Sequence, residues 1–225
     1  MKEIRSLCVT GKQHIEAGLL CQDSVYSARN GAVVAIALSD GAGRDNWAAV
    51  GAKTTCMVAA QYCADHFCDL ISKSEESIRF SFISNIRAAL FHMSQNVNTS
   101  VKSFGATCIA VAVNKTTGEM LCIHLGDGCV LARKQTGDIQ VLSHPQNGIS
   151  KTYTNLTTSF TGADNIRIIT GTINSYSSIL LASDGWFNKD DTLTEFTNRI
   201  FHHLEYETEP ELFEDDISAI SLSLN

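Results

Sequence analysis

The stretch GAVVAIALSDG, residues 31–41, places an acidic residue directly after a continuous apolar run and follows it with glycine. An uncharged run of this length is typical of a central strand that is covered on both faces. Asn30-Gly31 favours a hairpin with the preceding segment SVYSAR, residues 24–29. A carboxylate at the end of a buried strand is costly unless something neutralises it, so Asp40 needs a partner.

The same order of apolar strand, acid and glycine recurs twice. Asp127 follows EMLCIHLG, residues 119–126, and Asp184 follows SSILLAS, residues 177–183. For Asp127 a type I′ hairpin turn is an adequate explanation, because strand patterns flank it on both sides. Asp40 and Asp184 instead precede helical patterns, so a hairpin does not explain them.

The order of predicted elements favours an α+β fold. Two strands are followed by a helix over residues 45–71 and by an amphipathic helix over residues 78–97. Short strands joined by tight turns then fill residues 104–143, which predicts antiparallel neighbours. A capping box, Thr192-x-x-Glu195, opens a third helix, and an alternating strand closes the chain. Because strands and helices do not alternate strictly, we expect antiparallel sheets with helices outside them.

Composition narrows the class of protein. A chain of 225 residues suits a single domain over residues 1–225. The net charge of -7, without a cluster of Lys and Arg, argues against nucleic acid as a partner. The apolar runs are shorter than the roughly 20 residues of a membrane span, and residues 1–14 lack the apolar core of a signal peptide, so we expect a cytoplasmic protein without a membrane partner. The cysteines, with no Cys-x-x-Cys pair, are interpreted as reduced thiols.

The acids at strand ends are interpreted as one candidate metal site. Asp215 and Asp216 stand before the terminal strand, and Asp23 lies in CQDSV, residues 21–25. A divalent cation offsets both the cost of burying a carboxylate and the repulsion between neighbouring carboxylates. Mg²⁺ and Mn²⁺ prefer oxygen ligands. Glycine after the acid lets the backbone approach closely, so its carbonyl can also bind an ion.

These motifs, taken together, resemble the metal-dependent protein phosphatases of the 2C type, especially their compact bacterial branch. The matching pieces, in the order of the family, are GLLCQDS (18–24), SDGAG (39–43), GAT (105–107), LGDG (125–128), ASDGWFN (182–188) and DDIS (215–218). An ordered set of six is hard to obtain by chance, although no single piece is decisive. The resemblance implies two stacked antiparallel β-sheets flanked by α-helices, an α-β-β-α sandwich.

The resemblance also implies two ions, Mn²⁺ or Mg²⁺, in a cleft at one end of the sandwich. Carried over by position, the expected ligands are Asp40, Gly41, Asp184, Asp215, Asp23 and Asp127. Asp40 would bridge both ions, the Gly41 carbonyl would bind one, and Asp184 and Asp215 would bind the other. Asp23 would lie among or beside the ligands, and Asp127 would face a third ion.

Asp216 takes a position where many members of the family have Asn, so we expect it to support the site without binding an ion. The implied reaction is hydrolysis of phosphoserine and phosphothreonine in proteins by a metal-activated water, with Asp40 and Asp184 as catalytic residues through the ions they hold. Phosphorylated proteins would be the substrates, and a Ser/Thr kinase would be a further partner.

Three positions depart from the family pattern. Ala42 stands where many members have a histidine that helps protonate the leaving group, Gly18 where many have a phosphate-binding arginine, and Gln22 where a glutamate is common. His14 is a candidate general acid or phosphate ligand, and a surface histidine at a strand end is an equally open reading.

Arg44 and Lys12 are the nearest basic candidates for binding the substrate phosphate, with an exposed side chain as the alternative for each. Two other functions stay open. The first is a pseudophosphatase or phosphoprotein-binding regulatory domain that keeps the fold and metal site but has little activity, which Ala42 and Gly18 suggest. The second is a plain α+β binding domain whose acids are all turn residues. The polar, patternless residues 144–165 give no code for the substrate.

Overall fold

The computed structural model of the protein describes residues 3–43, 47–146, 154–187, 190–208, 210 and 213–224. The strands of these residues form two five-stranded antiparallel sheets. The first sheet contains, in spatial order, β1 (Ile4–Val9), β10 (Ile217–Ser223), β9 (Tyr176–Ala182), β6 (Cys129–Lys134) and β7 (Ile139–Ser143). The second contains β2 (Asp23–Asn30), β3 (Val33–Asp40), β4 (Cys108–Asn114), β5 (Glu119–Leu125) and β8 (Arg167–Thr172).

The strand β3 is central in the second sheet, as its apolar run predicts. It pairs with β2 on one side and β4 on the other. Val34, Ile36 and Leu38 pack into the core between the two sheets, whereas Ala35 and Ala37 pack beneath the helices. Both faces are therefore covered, which is why β3 contains no charged residue before Asp40.

Helices cover the outer faces of both sheets. On the second sheet lie α2 (Trp47–Asp65) and α4 (Glu75–Asn96), joined by the short α3 (Phe67–Ile71). On the first sheet lies α5 (Leu193–Tyr206), which begins at the predicted capping box of Thr192 and Glu195. A further short helix, α1 (Lys12–Ala17), follows β1. The expected α-β-β-α sandwich is confirmed. No helix in the described ranges is both long and apolar enough to cross a membrane.

One sequence expectation about strand order is wrong. The pattern predicts a hairpin across Asp127-Gly128, but β5 belongs to the second sheet and β6 to the first. Residues 126–128 therefore cross between the sheets. A type I′ turn needs positive φ at both central residues, and of these three residues only Gly126 has one, at 119°. The alternation of side chains within a strand does not record which strand lies next to it, so a hairpin and a crossing have the same local pattern.

Two smaller differences concern the N-terminal part. The β2–β3 turn is Gly31-Ala32 rather than Asn30-Gly31, because Asn30 still pairs with Val33, and Gly31 takes a φ of 55°. No sequence pattern predicts β1 or α1. The strand β1 lies at an edge of its sheet and mixes Arg, Ser and Cys with aliphatic residues, which hides its periodicity.

Candidate metal centre

Asp40, Asp127 and Asp184 meet at one end of the sandwich. One carboxylate oxygen from each residue lies within 4.8 Å of one oxygen from each of the other two. Asp40 ends β3, Asp127 lies in the crossing between β5 and β6, and Asp184 follows β9, so three strands that are distant in sequence end at the same point. No described Lys, Arg or His forms an ion pair with any of the three. Like charges are therefore gathered here without a cationic side chain to balance them.

Burial and crowding raise the pKa values of Asp40, Asp184 and Asp23. The pKa of Asp40 lies well above its usual range, mainly because the carboxyl is buried and then because of the charges of Asp23 and Asp184. Burial, followed by the charges of Asp127 and Asp215, raises the pKa of Asp184 to about 6. The pKa of Asp23 rises to about 7, again mainly through burial. Positive charge bound at this site would oppose every one of these shifts.

The donor set fits a hard divalent cation. It consists of carboxylate oxygens, which Mg²⁺ and Mn²⁺ prefer over nitrogen and sulfur ligands. Asp23 stands opposite Asp40 in the β2–β3 register, and its Oδ2 atom is buried without a hydrogen-bond partner. Buried carboxylate oxygens normally have a partner, and an ion bound nearby would give this oxygen one.

The glycine after each of the three acids makes room for a neighbouring backbone segment. A Cβ atom on Gly41, Gly128 or Gly185 would lie 1.9 to 2.7 Å from a backbone carbonyl oxygen, and for Gly185 that oxygen belongs to Asp216. None of these glycines has a positive φ, so turn geometry is not the reason for them. At Gly128 and Gly185 the absence of a side chain lets strand ends come close together, and at Gly41 it lets the end of β3 approach Ala48 of α2.

Thr107 fixes the backbone of Asp40. Its N–H donates to the Asp40 carbonyl at 2.8 Å, and its Oγ1 accepts from the Asp40 N–H at 2.9 Å. The Ser39 hydroxyl donates to the Thr107 carbonyl at 2.5 Å. This contact was not predicted from the sequence. The one signal for it is a hydroxyl residue directly before β4, the buried strand that neighbours β3.

Asp216 is neutralised by the protein itself. Its Oδ1 accepts from the Gly11 N–H at 2.7 Å, and its Oδ2 accepts from the Gln22 N–H at 2.5 Å. The Nδ1 atom of His14 lies 2.8 Å from the same Oδ2. The Gln22 carbonyl in turn accepts from the Gly41 N–H at 3.0 Å, so the contacts of Asp216 reach the candidate metal site. Asp216 thereby ties together α1, the loop before β2 and the loop before β10.

Two predicted site residues lie beside the group of three acids rather than within it. Asp215 is exposed, and its Oδ1 accepts from the Asp216 N–H at 2.9 Å. It is still near enough to raise the pKa values of Asp40 and Asp184. His14 lies on α1, with 20% of its side chain exposed and with Asp216 as its contact.

The next residues to locate are the basic candidates for binding phosphate and the positions that depart from the family pattern. Lys12 begins α1, and its Nζ lies 3.7 Å from Glu214 Oε1, next to Asp215 in the chain. Arg44 lies outside the described residues. Ala42 is exposed, and Gly18 ends α1 with a φ of 68°, where a side chain such as arginine would be strained.

The segment 154–165 borders the acidic group. The Thr154 hydroxyl donates a short hydrogen bond to Asp127 Oδ2. Arg87 of α4 holds this segment through its Nε and a terminal nitrogen, which donate to the carbonyls of Thr157 and Ser159 at 2.9 and 2.6 Å. Nothing in the sequence pattern predicts this contact between Thr154, in a polar loop, and Asp127.

The family profile described as protein phosphatase 2C matches residues 10–216. No curated protein sequence matches the chain significantly. Among solved structures, a bacterial serine phosphatase has a TM-score of 0.66 at 16% identity, over 100% of this chain and 98% of that chain. The serine/threonine phosphatase Stp1 from Staphylococcus aureus has a TM-score of 0.65 at 15% identity, over 100% and 96%. RsbX in complex with magnesium has a TM-score of 0.58 at 14% identity, over 100% and 97%.

The chain belongs to the protein phosphatase 2C family, because the family profile covers most of its length. The similar structures share its fold. Membership of this family and the group of three acids together support a metal-dependent protein phosphatase.

Proposed function

We propose that the protein hydrolyses phosphoserine and phosphothreonine in other proteins with the help of Mn²⁺ or Mg²⁺. The observation that carries this proposal is the meeting of Asp40, Asp127 and Asp184 within 4.8 Å, without a described cationic side chain to balance them. The proposal treats residues 1–225 as one catalytic domain. It includes a cytoplasmic location and a Ser/Thr kinase that phosphorylates the same substrates.

Two ions, with a possible site for a third, are assigned to the acids of this cleft. The proposed ligands are Asp40, the Gly41 carbonyl, Asp184, Asp215, Asp23 and Asp127. Asp40 would hold both ions. Its position in the group of three acids, and a pKa raised by burial and then by four neighbouring acids, support this role. Asp127 and Asp184 are proposed to hold the third ion, since they approach each other within the same 4.8 Å.

The residues of the chain fix this arrangement before substrate arrives. When bound, the ions would lower the pKa of a water that attacks the phosphorus, and their positive charge would offset the negative charge that develops on the phosphoryl oxygens. Thr107 holds Asp40 through both its N–H and its hydroxyl, which limits the movement of the proposed bridging acid. Gly41 and Gly185 allow the strand ends to close around the site.

His14 is the proposed proton donor to the leaving oxygen. Its Nδ1 lies 2.8 Å from Asp216 Oδ2, a contact that orients the ring and leaves Nε2 for proton transfer. Lys12 and Arg44 are proposed to bind the substrate phosphate. Two observations support this role for Lys12: it lies two residues before His14 on α1, and its Nζ is 3.7 Å from Glu214, the residue before Asp215.

The test is hydrolysis of an aryl phosphate and of a phosphothreonine peptide by purified protein. Activity should require added Mn²⁺ or Mg²⁺ and disappear with a chelator. Asp40→Asn and Asp184→Asn should each lower kcat/KM about a thousandfold, because each removes an ion ligand worth several kcal/mol. Asp69→Asn, on the surface helix α3, is the matched control and should retain activity.

Two results would contradict the proposal. Turnover without metal in Asp40→Asn or Asp184→Asn would show that the acids do not carry the reaction. Calorimetric binding of Mn²⁺ without hydrolysis over a broad panel of phosphopeptides would instead favour the pseudophosphatase or regulatory alternative.

A further inference from the structure

A second polar pocket lies at the opposite end of the first sheet from the acidic group. It has a volume of about 440 Å³ and is open beside α5. The side chains that matter for its chemistry are Arg5, Lys115, Arg133, Ser178, Ser221 and Ser223. Ser178 and Ala182 lie about 13 Å apart along β9, at ~3.3 Å per residue, and Asp184 follows Ala182. The pocket is therefore separate from the candidate metal centre.

The strand register explains why polar side chains collect here. Arg5 pairs with Ser221, and Ser178 pairs with both Ser223 and Arg133, so these side chains share one face of the first sheet. Two residues further along the same face, the sheet carries apolar side chains that are buried under α5, among them Leu180 and Ala219. The polar side chains of the pocket therefore begin at the point along the sheet where α5 no longer covers it.

Two buried polar atoms in this pocket have no hydrogen-bond partner. They are the Nε of Arg5 and the Oγ of Ser178. Buried polar atoms are nearly always paired, so each orphan is a candidate for contact with a ligand or an ordered water. Arg5 also forms no ion pair with any carboxylate in the described ranges of the chain.

The two carboxylates of the pocket are already engaged by other cations. Glu3 forms ion pairs with Lys115 and Arg29, and the hydrogen bond from Lys115 is the main reason that the pKa of Glu3 is below its usual range. Glu205 lies 3.5 Å from Arg133. The guanidinium without a partner therefore gives the pocket a positive excess, in a protein with a net charge of -7.

We infer that this pocket binds a phosphate group, with Arg5 as the principal ligand and the Ser178 hydroxyl as the second. A guanidinium presents a planar fork of donors that matches two oxygens of a phosphate. The hydroxyls of Ser178, Ser221 and Ser223 lie along the strands beside it and can donate to the remaining oxygens. A phosphate has enough acceptor oxygens to satisfy this set of donors. The inference concerns a different site from the proposed metal centre, so it does not depend on the proposed reaction.

The test uses the full chain, labelled with ¹⁵N in its arginine side chains and kept free of divalent metal. Inorganic phosphate is titrated at constant ionic strength, and the Nε–H signal of Arg5 is followed by NMR. The signal is assigned by its disappearance in Arg5→Gln. We expect a saturable shift with a Kd in the millimolar range or below. Arg5→Gln should weaken phosphate binding, measured by calorimetry, at least about tenfold, because it removes a charged hydrogen-bond donor.

Two further variants keep the inference falsifiable. Arg29→Gln is the matched control, since Arg29 also contacts Glu3 but does not line the pocket, and its phosphate affinity should stay within about twofold of the parent. Ser178→Ala should weaken binding less than Arg5→Gln. No saturable shift of Arg5, an equal response to chloride, or unchanged affinity in Arg5→Gln would overturn the inference.

The same titration distinguishes the two sources of a phosphate group. A phosphothreonine peptide is used in place of inorganic phosphate, in protein without metal. A shift of Arg5 at lower concentrations of peptide than of phosphate would identify a phosphorylated protein segment as the ligand. A shift with inorganic phosphate alone would identify the free ion.

Discussion

Asp216 and the group formed by Asp40, Asp127 and Asp184 lie side by side at one end of the sandwich, and their surroundings differ. Asp216 accepts hydrogen bonds from two backbone N–H groups and lies 2.8 Å from the His14 ring. Asp40, Asp127 and Asp184 face one another within 4.8 Å, and no described cationic side chain pairs with them. Asp216 is thus held by donors from other segments of the chain, whereas no described cationic side chain balances the group of three acids.

This difference separates an acid that holds the structure together from acids that are available to bind ions. The protein can neutralise a buried carboxylate when its position serves the fold, as the donors around Asp216 show. Asp40 and Asp184 lie together without a cationic side chain, and their pKa values rise through burial and then through the charges of neighbouring acids. A group of buried acids of this kind lowers the free energy of unfolding, and a cation that binds to the folded state raises it again.

The largest expected effect is a difference in stability between two single substitutions. Asp216→Ala should lower the free energy of unfolding by about 3 kcal/mol, because it strands the Gly11 and Gln22 N–H groups and the His14 ring. Asp40→Asn should leave the free energy of unfolding unchanged or raise it by about 1 kcal/mol, because it removes a carboxylate that its neighbours repel. Urea unfolding in the presence of a chelator measures both. A loss of stability of similar size in the two variants would contradict the comparison.

The next effect tests how closely α1 is held against the loop of Asp215. A Cβ on Gly11 would lie 2.2 Å from the carbonyl carbon of Asp215, so Gly11→Ala should cost about 2 kcal/mol and weaken the binding of Mn²⁺. Gly171→Ala in β8 is the control, because its Cβ would meet nothing closer than 3.9 Å. Urea unfolding and calorimetry with Mn²⁺ check the two effects. Equal stability of both variants would mean that this contact is not maintained in solution.

The smallest effect is a dependence of stability on pH in the protein without metal. Asp23 and Asp184 have pKa values of about 7 and about 6 in the folded chain, above the value of about 4 expected when unfolded. The folded state therefore binds more protons in this window, and stability should fall by about 1 to 2 kcal/mol as pH rises from 5.5 to 7.5.

Addition of Mn²⁺ should remove this fall, since bound cations keep the carboxylates ionised. Urea midpoints at the two pH values, with and without Mn²⁺, provide the measurement. The Asp23→Asn variant without metal should show a smaller fall. A rise in the stability of the metal-free parent between pH 5.5 and 7.5 would have the wrong sign for this account.

Much of the fold could be predicted from local pattern. Three elements were predicted from patterns within their own residues. These patterns are the apolar run of β3, the capping box of α5 and the apolar spacing of α4. The neighbours of β5 and β6 could not be predicted in this way, because the choice of sheet depends on how residues 126–128 cross the core. The edge strand β1 was missed because none of its six residues is fully buried, so its sequence shows no clear alternation of apolar and polar residues.

The candidate site was predictable where glycine and acid stand together, and not where a contact joins distant segments. Asp40 and Asp184 stood out because each follows an apolar strand. The donors to Asp216 come from Gly11 and Gln22, which are 205 and 194 residues away, and no spacing rule connects them. The hydroxyl of Thr154 on Asp127 belongs to a loop without periodicity.

The central claim is that the unneutralised acids bind divalent cations and that Asp216 does not. A crystal of the protein soaked in Mn²⁺, with anomalous scattering at the manganese edge, tests it directly. The account predicts anomalous peaks within bonding distance of Asp40 and Asp184, their loss in Asp40→Asn, and no peak on Asp216. The absence of manganese from the acidic group in the parent protein, or manganese bound to Asp216 in place of His14, would contradict the account.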